Sequence, residues 1–182
     1  MNPPFFLPGW PASVNFGGLG SVIGHELVHA FDDEGVKWDE DGALRSWMDT
    51  HSKDGFRRMA DCLVEEYDDF CPQRANWTEA KCIRGNQTQG ENIADNGGIK
   101  ASYLAYRSRA TLHGEEPLRL PGSMHSFTHD QLFFLAFARV WCGKISSSSL
   151  EFQLQTLTHS PARYRVQGTL RNFPAFAKAF KY

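Results

Sequence analysis

The sequence predicts a mainly α-helical protein with few short strands. Two observations carry this reading: apolar residues recur at helical spacing over several long windows, and strand-like stretches are confined to two short candidates. A third is punctuation, since Gly, Pro and cap-type residues stand at the ends of the helical windows. With 182 residues, 41% of them hydrophobic, the chain has the size of one ordinary domain with its own core.

Residues 1–13 are rich in proline and aromatics and form an extended lead-in. Phe16-Gly17-Gly18-Leu19-Gly20 then opens an apolar run from Ser21 to Phe31, expected as a buried helix that the stretch Asp32 to Gly35 closes. Between residues 43 and 70, Leu44, Trp47, Met48, Phe56, Met59, Leu63, Val64 and Tyr67 keep a helical rhythm among charged residues, predicting one long or broken amphipathic helix. Residues 71–90 are polar, hold Cys71 and Cys82, and read as a solvated loop. The next helix runs from Glu91 to about Leu112, with an early interruption at Gly97-Gly98. Thr128-His129-Asp130 suits the cap of a helix reaching Trp141 that is apolar nearly all round, so it belongs inside a larger structure. Residues 144–160 are Ser- and Gln-rich, and residues 173–180 make a short terminal helix after an early Pro. The strand candidates lie near Val36 to Trp38 and Tyr164 to Val166.

Several function classes fall away. The formal charge is −2 and the Lys and Arg residues are scattered, which leaves no basic field for nucleic acid. No apolar run approaches the roughly 18–20 residues of a membrane-spanning helix, so no membrane segment is expected within this chain. Met1 to Trp10 lacks the pattern of a signal peptide. Two Asn-x-Thr acceptors, at Asn76 and Asn86, favour an extracellular or cell-surface location.

The chemistry concentrates in His25-Glu26-Leu27-Val28-His29. Histidines four apart on a helix project from one face about 6 Å apart, within reach of a single ion. A catalytic zinc takes three protein ligands and leaves a place for water, so a third donor is needed. Glu91 supplies a carboxylate in Gly90-Glu91-Asn92-Ile93-Ala94-Asp95, and Asp95 shares its helical face, where it suits the hydrogen bond that orients a metal-bound histidine. Glu26, beside the first histidine, is placed to serve as general base. The plain alternative is a polar stripe on an exposed helix. Val22, Ile23, Leu27, Val28, Ala30 and Phe31 surround the motif with apolar side chains and predict burial instead. For the segment at Glu91, the plain alternative is a capped helix start with solvent-facing acids.

Four motifs in order, His25 to Asp33, Gly90 to Gly98, Gln131 to Cys142, and His159-Ser160-Pro161 with Arg165, resemble the neprilysin and endothelin-converting enzyme family of zinc metallopeptidases. The resemblance extends from Pro3 to Phe180. It implies a multi-helical, thermolysin-like zincin lobe, with residues 1–182 forming the C-terminal catalytic domain of a longer, membrane-anchored or secreted ectodomain. The chain is then an apparently truncated one, and the N-terminal part of the same ectodomain is its expected partner. The resemblance further implies one Zn2+ per chain, bound by His25, His29 and Glu91, with Glu26 as base, Asp95 orienting His25, and His159 acting on the transition state. Arg165 would meet a substrate carbonyl, and Phe5, Val22, Val140 and Trp141 would form a pocket for a large apolar side chain, so that peptides are cut on the amino side of such residues. Cys62 and Cys142 match family positions whose partners lie outside this chain, and Cys71 and Cys82 can bridge each other, although four cysteines permit three full pairings. Two other readings stay open: a non-catalytic zinc-containing fragment or pseudo-enzyme, and a helical domain without metal.

Overall fold

The first helical run begins directly after Pro11, whose backbone is already extended at φ −52° and ψ 144°. Helix α1 (Ala12–Asn15) passes through a π turn (Phe16–Gly20) into α2 (Ser21–Val28), and a 3-10 turn (His29–Phe31) ends the run. The computed structural model describes residues 2–72, 81–114 and 120–181, and Asn76 lies outside them. Six further helices follow among the described residues: α3 (Thr50–Asp68), α4 (Gly85–His113), α5 (His129–Val140), α6 (Ser147–Thr156), α7 (Ala162–Arg171) and α8 (Pro174–Phe180).

The long helix expected from residue 43 starts only at Thr50. Asp49 caps it by accepting a hydrogen bond from the Ser52 N–H at 2.9 Å, and Trp47 is drawn away to donate its indole N–H to the Val36 carbonyl at 2.9 Å. The segment before it is a small loop closed by one antiparallel bridge, Trp38 to Leu44. Neither strand candidate forms a strand: Gly35–Lys37 is a 3-10 turn, and Tyr164 to Val166 lie inside α7. Among the described residues there is no sheet. The polar loop through residue 90 is shorter than expected, since α4 starts at Gly85, whose N–H is held by Asp68 Oδ1 at 2.6 Å. Asn86 is therefore an exposed residue of a first helical turn and Thr88 is buried. Cys71 and Cys82 form a disulfide, whereas Cys62 and Cys142 are free and exposed.

Gly97 and Gly98 do not break α4. A Cβ at Gly98 would sit 2.7 Å from the Cα of His25, so the glycines are the surface that lets α2 lie against α4 backbone to backbone. The apolar side chains of α2 divide at this contact. Val28 packs inward, but Ile23, Leu27 and, in the turn that follows, Phe31 are exposed, Leu27 at 68%, so the expectation of a buried helix is corrected. Only one side of α2 meets α4; the other side points away from it.

Helix α5 is covered within this chain. A capping box between Thr128 and Gln131 starts it, and Phe133, Phe134 and Phe137 pack with Ile99 and Tyr106 of α4, Leu170 of α7 and Phe176 of α8. Leu132 and Ala136 face Val14 of α1 on the opposite side. A separate cluster of Ala60, Leu63, Tyr67, Ile93 and Leu154 joins α3, α4 and α6. Helix α6, which no apolar rhythm announced, begins where Ser146 caps the Ser149 N–H. Among the described residues no helix is long and apolar enough to cross a membrane.

Candidate active site

The α2–α4 contact brings His25, His29 and Glu91 together. The Nε2 atoms of the two histidines are 3.0 Å apart, and Glu91 places Oε2 3.2 Å from His25 Nε2 and Oε1 3.8 Å from His29 Nε2. One ligand atom from each residue falls within a common 4.8 Å. The opposite nitrogens are both held by carboxylates, His25 Nδ1 by Asp95 Oδ1 at 2.9 Å and His29 Nδ1 by Asp32 Oδ2 at 2.6 Å. An N–H donating at each Nδ1 leaves a lone pair on each Nε2, and this tautomer assignment follows from the hydrogen bonds. Two lone pairs and a carboxylate then face one point, an arrangement that suits a divalent cation. Two imidazole nitrogens and one carboxylate oxygen are a zinc donor set, and carboxylates behind both rings are the usual support of such ligands.

The same carboxylates govern the protonation of the metal-free site, where a proton takes the place of the cation on His25. Burial opposes charge on His25, but the hydrogen bonds of Asp95 and Glu91 outweigh it and push its pKa up to about 9. Burial likewise works to raise Glu91, yet the bond to His25 and the charges of His159 and Arg165 hold it below the ordinary carboxylate value.

Asp32, and not the adjacent Asp33, is the residue that holds His29. The 3-10 turn tightens the end of the helical run and Asp32 leaves it extended, which swings its carboxylate back under His29. Its other oxygen accepts the N–H groups of Glu34 at 2.9 Å and Gly35 at 2.7 Å, so the buried carboxylate is pinned. Asp33 lies instead against Gly90, and burial together with the Asp32 charge raises its pKa.

Arg165, 5% exposed, grips Asp95 with two bonds of 2.7 Å from Nε and Nη2 and reaches Glu91 Oε2 at 3.4 Å. Its guanidinium lies 3.9 Å from the centre of the Trp141 ring. His159 is half exposed and sets Nε2 3.2 Å from Glu91 Oε1. A cleft of about 140 Å³ is lined by His25, Glu26, Asp95, His159 and Arg165 on its polar side and by Val22, Phe137, Val140 and Trp141 on its apolar side. Phe137, one helical turn before Trp141, was not singled out from sequence although its spacing carried the signal. Phe5 does not line this cleft. Its backbone carbonyl accepts the Leu19 N–H at 3.0 Å and abuts Gly18, which does.

A helical scaffold that presents two histidines and a carboxylate beside a half-apolar cleft has the architecture of a zinc metallopeptidase. The chain belongs to peptidase family M13, whose model matches residues 1–182. It is 43% identical over 181 residues to Neprilysin-11 of Caenorhabditis elegans, a match covering 100% of this chain and 21% of that protein. With human Endothelin-converting enzyme 1 the identity is 42% over 181 residues, again 100% of this chain and 22% of the relative. The chain thus spans about a fifth of the length of these relatives. Among solved structures, Mycobacterium tuberculosis zinc metalloprotease Zmp1 in complex with inhibitor superposes with a TM-score of 0.89 at 34% identity, over 99% of this chain and 27% of that one. A Haemonchus galactose-containing glycoprotein complex gives 0.88 at 44% identity, over 98% and 28%.

Proposed function

We propose that residues 1–182 are the C-terminal catalytic domain of a zinc-dependent endopeptidase acting on oligopeptides. The observation that carries this is the convergence of the His25 and His29 Nε2 atoms and the Glu91 carboxylate on one point, with Asp95 and Asp32 fixing both rings from behind. His25, His29 and Glu91 would hold one Zn2+. When bound, zinc supplies a Lewis acid that lowers the pKa of water to about 7 and polarises a scissile carbonyl.

The remaining work belongs to the chain's own groups. Glu26 is exposed, lines the cleft and directly follows a metal ligand, so its carboxylate takes the proton of the attacking water and delivers it to the leaving amine. His159 donates to the oxygen that gains charge, a contribution of about 3–4 kcal/mol when the donor is preorganised. Arg165 holds Asp95 and, with Trp141, closes one side of the cleft, and it would meet a substrate carbonyl there. The apolar wall of Val22, Phe137, Val140 and Trp141 supports a preference for cleavage on the amino side of large apolar residues. The relatives named neprilysin and endothelin-converting enzyme support an extracellular or cell-surface setting, with the rest of the ectodomain as partner.

The test is cleavage of an internally quenched fluorescent peptide. Turnover that a chelator abolishes, zinc restores and Glu26→Gln removes supports the reading; chelator-insensitive turnover contradicts it. A second reading, a zinc-holding but inactive part, is favoured by the exposed face of Ile23, Leu27 and Phe31 on the helical run that carries the histidines. One zinc per chain without any chelator-sensitive cleavage would select it.

A further inference from the structure

His159 is about half exposed, yet its ring is aimed at Glu91. An exposed imidazole on a loop samples several rotamers unless its backbone is fixed, so the source of the aim lies in the residues around it. Residues 157–161 connect α6 to α7. The next residue along, Ser160, is 0% exposed and donates its hydroxyl to Asn92 Oδ1 at 2.9 Å. Asn92, also 0% exposed, is the residue after Glu91 and spends its Nδ2 on Thr88 Oγ1 at 2.9 Å. Two consecutive residues of the loop, His159 and Ser160, therefore meet two consecutive residues of α4, Glu91 and Asn92. The loop is pinned again by Gln87, whose Nε2 donates to the Leu157 carbonyl at 2.7 Å, and by Gln153, whose Nε2 donates to the His159 carbonyl at 3.2 Å.

We propose that Asn92 and Ser160, assisted by Gln87, are positioning residues that register the loop on α4 so that His159 faces the substrate side of the Glu91 carboxylate. The inference rests on the role given to His159 above and assigns no contact between substrate and these three residues. Its physical basis is burial. A dry hydroxyl–amide bond between fully covered side chains has no water to replace it, so its loss lets the loop drift and the imidazole with it.

The experiment uses Ser160→Ala and, as a variant whose site tolerates truncation, Gln87→Ala, each in the natural and in the His159→Ala background, all loaded with zinc. The first readout is kcat and KM on a quenched fluorescent peptide. Ser160→Ala is expected to lower kcat about 10- to 100-fold, the cost of a displacement near 1 Å, with KM and zinc content little changed. Gln87→Ala loses less. In the His159→Ala background both losses vanish, because there is no imidazole left to misplace. The second readout needs no turnover: ring resonances of His159 in the histidine-labelled, zinc-free chain shift toward those of the exposed His51 in both variants. Unmoved His159 resonances, or a Ser160→Ala loss that persists undiminished without His159, overturns the positioning proposal. A His159→Ala chain that works at the natural rate overturns the role of His159 itself.

Discussion

Gly24 of α2 and Gly98 of α4 meet backbone to backbone, with the Cα of Gly98 3.0 Å from where a Cβ on Gly24 would stand. That contact sets the distance between the helical run bearing His25 and His29 and the helix bearing Glu91 and Asp95. Gly98→Ala forces the helices apart and is expected to destabilise the chain by about 1–3 kcal/mol, the usual cost of overpacking. Zinc affinity falls with it, by about tenfold or more, because an imidazole moved by a fraction of an ångström leaves the metal's short bonds. Thermal denaturation with and without zinc, and a competitive zinc titration, measure both effects.

Asp32 predicts a difference between neighbours. Because it holds His29 Nδ1 at 2.6 Å and Asp33 does not, Asp32→Ala is expected to weaken zinc binding about 10- to 100-fold. Asp33→Ala has a much smaller effect. Equal losses in the two variants would assign the result to net charge instead of ring orientation.

Glu26→Gln separates binding from chemistry. The side chain makes no part of the donor cluster, so zinc content stays at the natural level while kcat falls by about 10²–10⁴-fold, the range for loss of a general base. Metal analysis and turnover on the same sample check this. Retained turnover at full zinc occupancy would remove Glu26 from the base position.

Arg165 and Asp95 form a buried ion pair with two short bonds, and breaking such a pair from one side strands the other charge. Arg165→Met is expected to cost about 3–5 kcal/mol in urea denaturation. Arg165→Lys costs less, since the charge persists without the fork. A stable Arg165→Met chain would mean that Asp95 is supported without it.

The legible parts of the sequence were those where one physical signal had one meaning. His25 and His29 stand a helical turn apart, and the structure does set their Nε2 atoms face to face. Thr128-His129-Asp130 announced the start of α5, and the structure shows Thr128 capping it in a full capping box with Gln131. Misreadings arose where one signal had two meanings. Gly97-Gly98 marks either a break or a close approach, and only the packing of α2 shows that it is the second. Tyr164 to Val166 has strand-favouring residues, but the turn of α7 begins at Ala162 and Arg165 is needed on its buried face. Helix α6 was silent because Ser and Gln carry little periodicity, and its cap at Ser146 speaks only once a helix is known to follow. Asp32 could not be chosen over Asp33 because the choice depends on the backbone turning extended after Phe31.

The most direct test of the central claim is zinc stoichiometry with X-ray absorption at the zinc edge, on the natural chain and on His25→Ala, His29→Ala and Glu91→Ala. One zinc per chain is expected, with nitrogen neighbours at about 2.0–2.1 Å plus oxygen, and loss of the metal in each variant. Full zinc occupancy in the three variants, or sulfur among the neighbours, would contradict it.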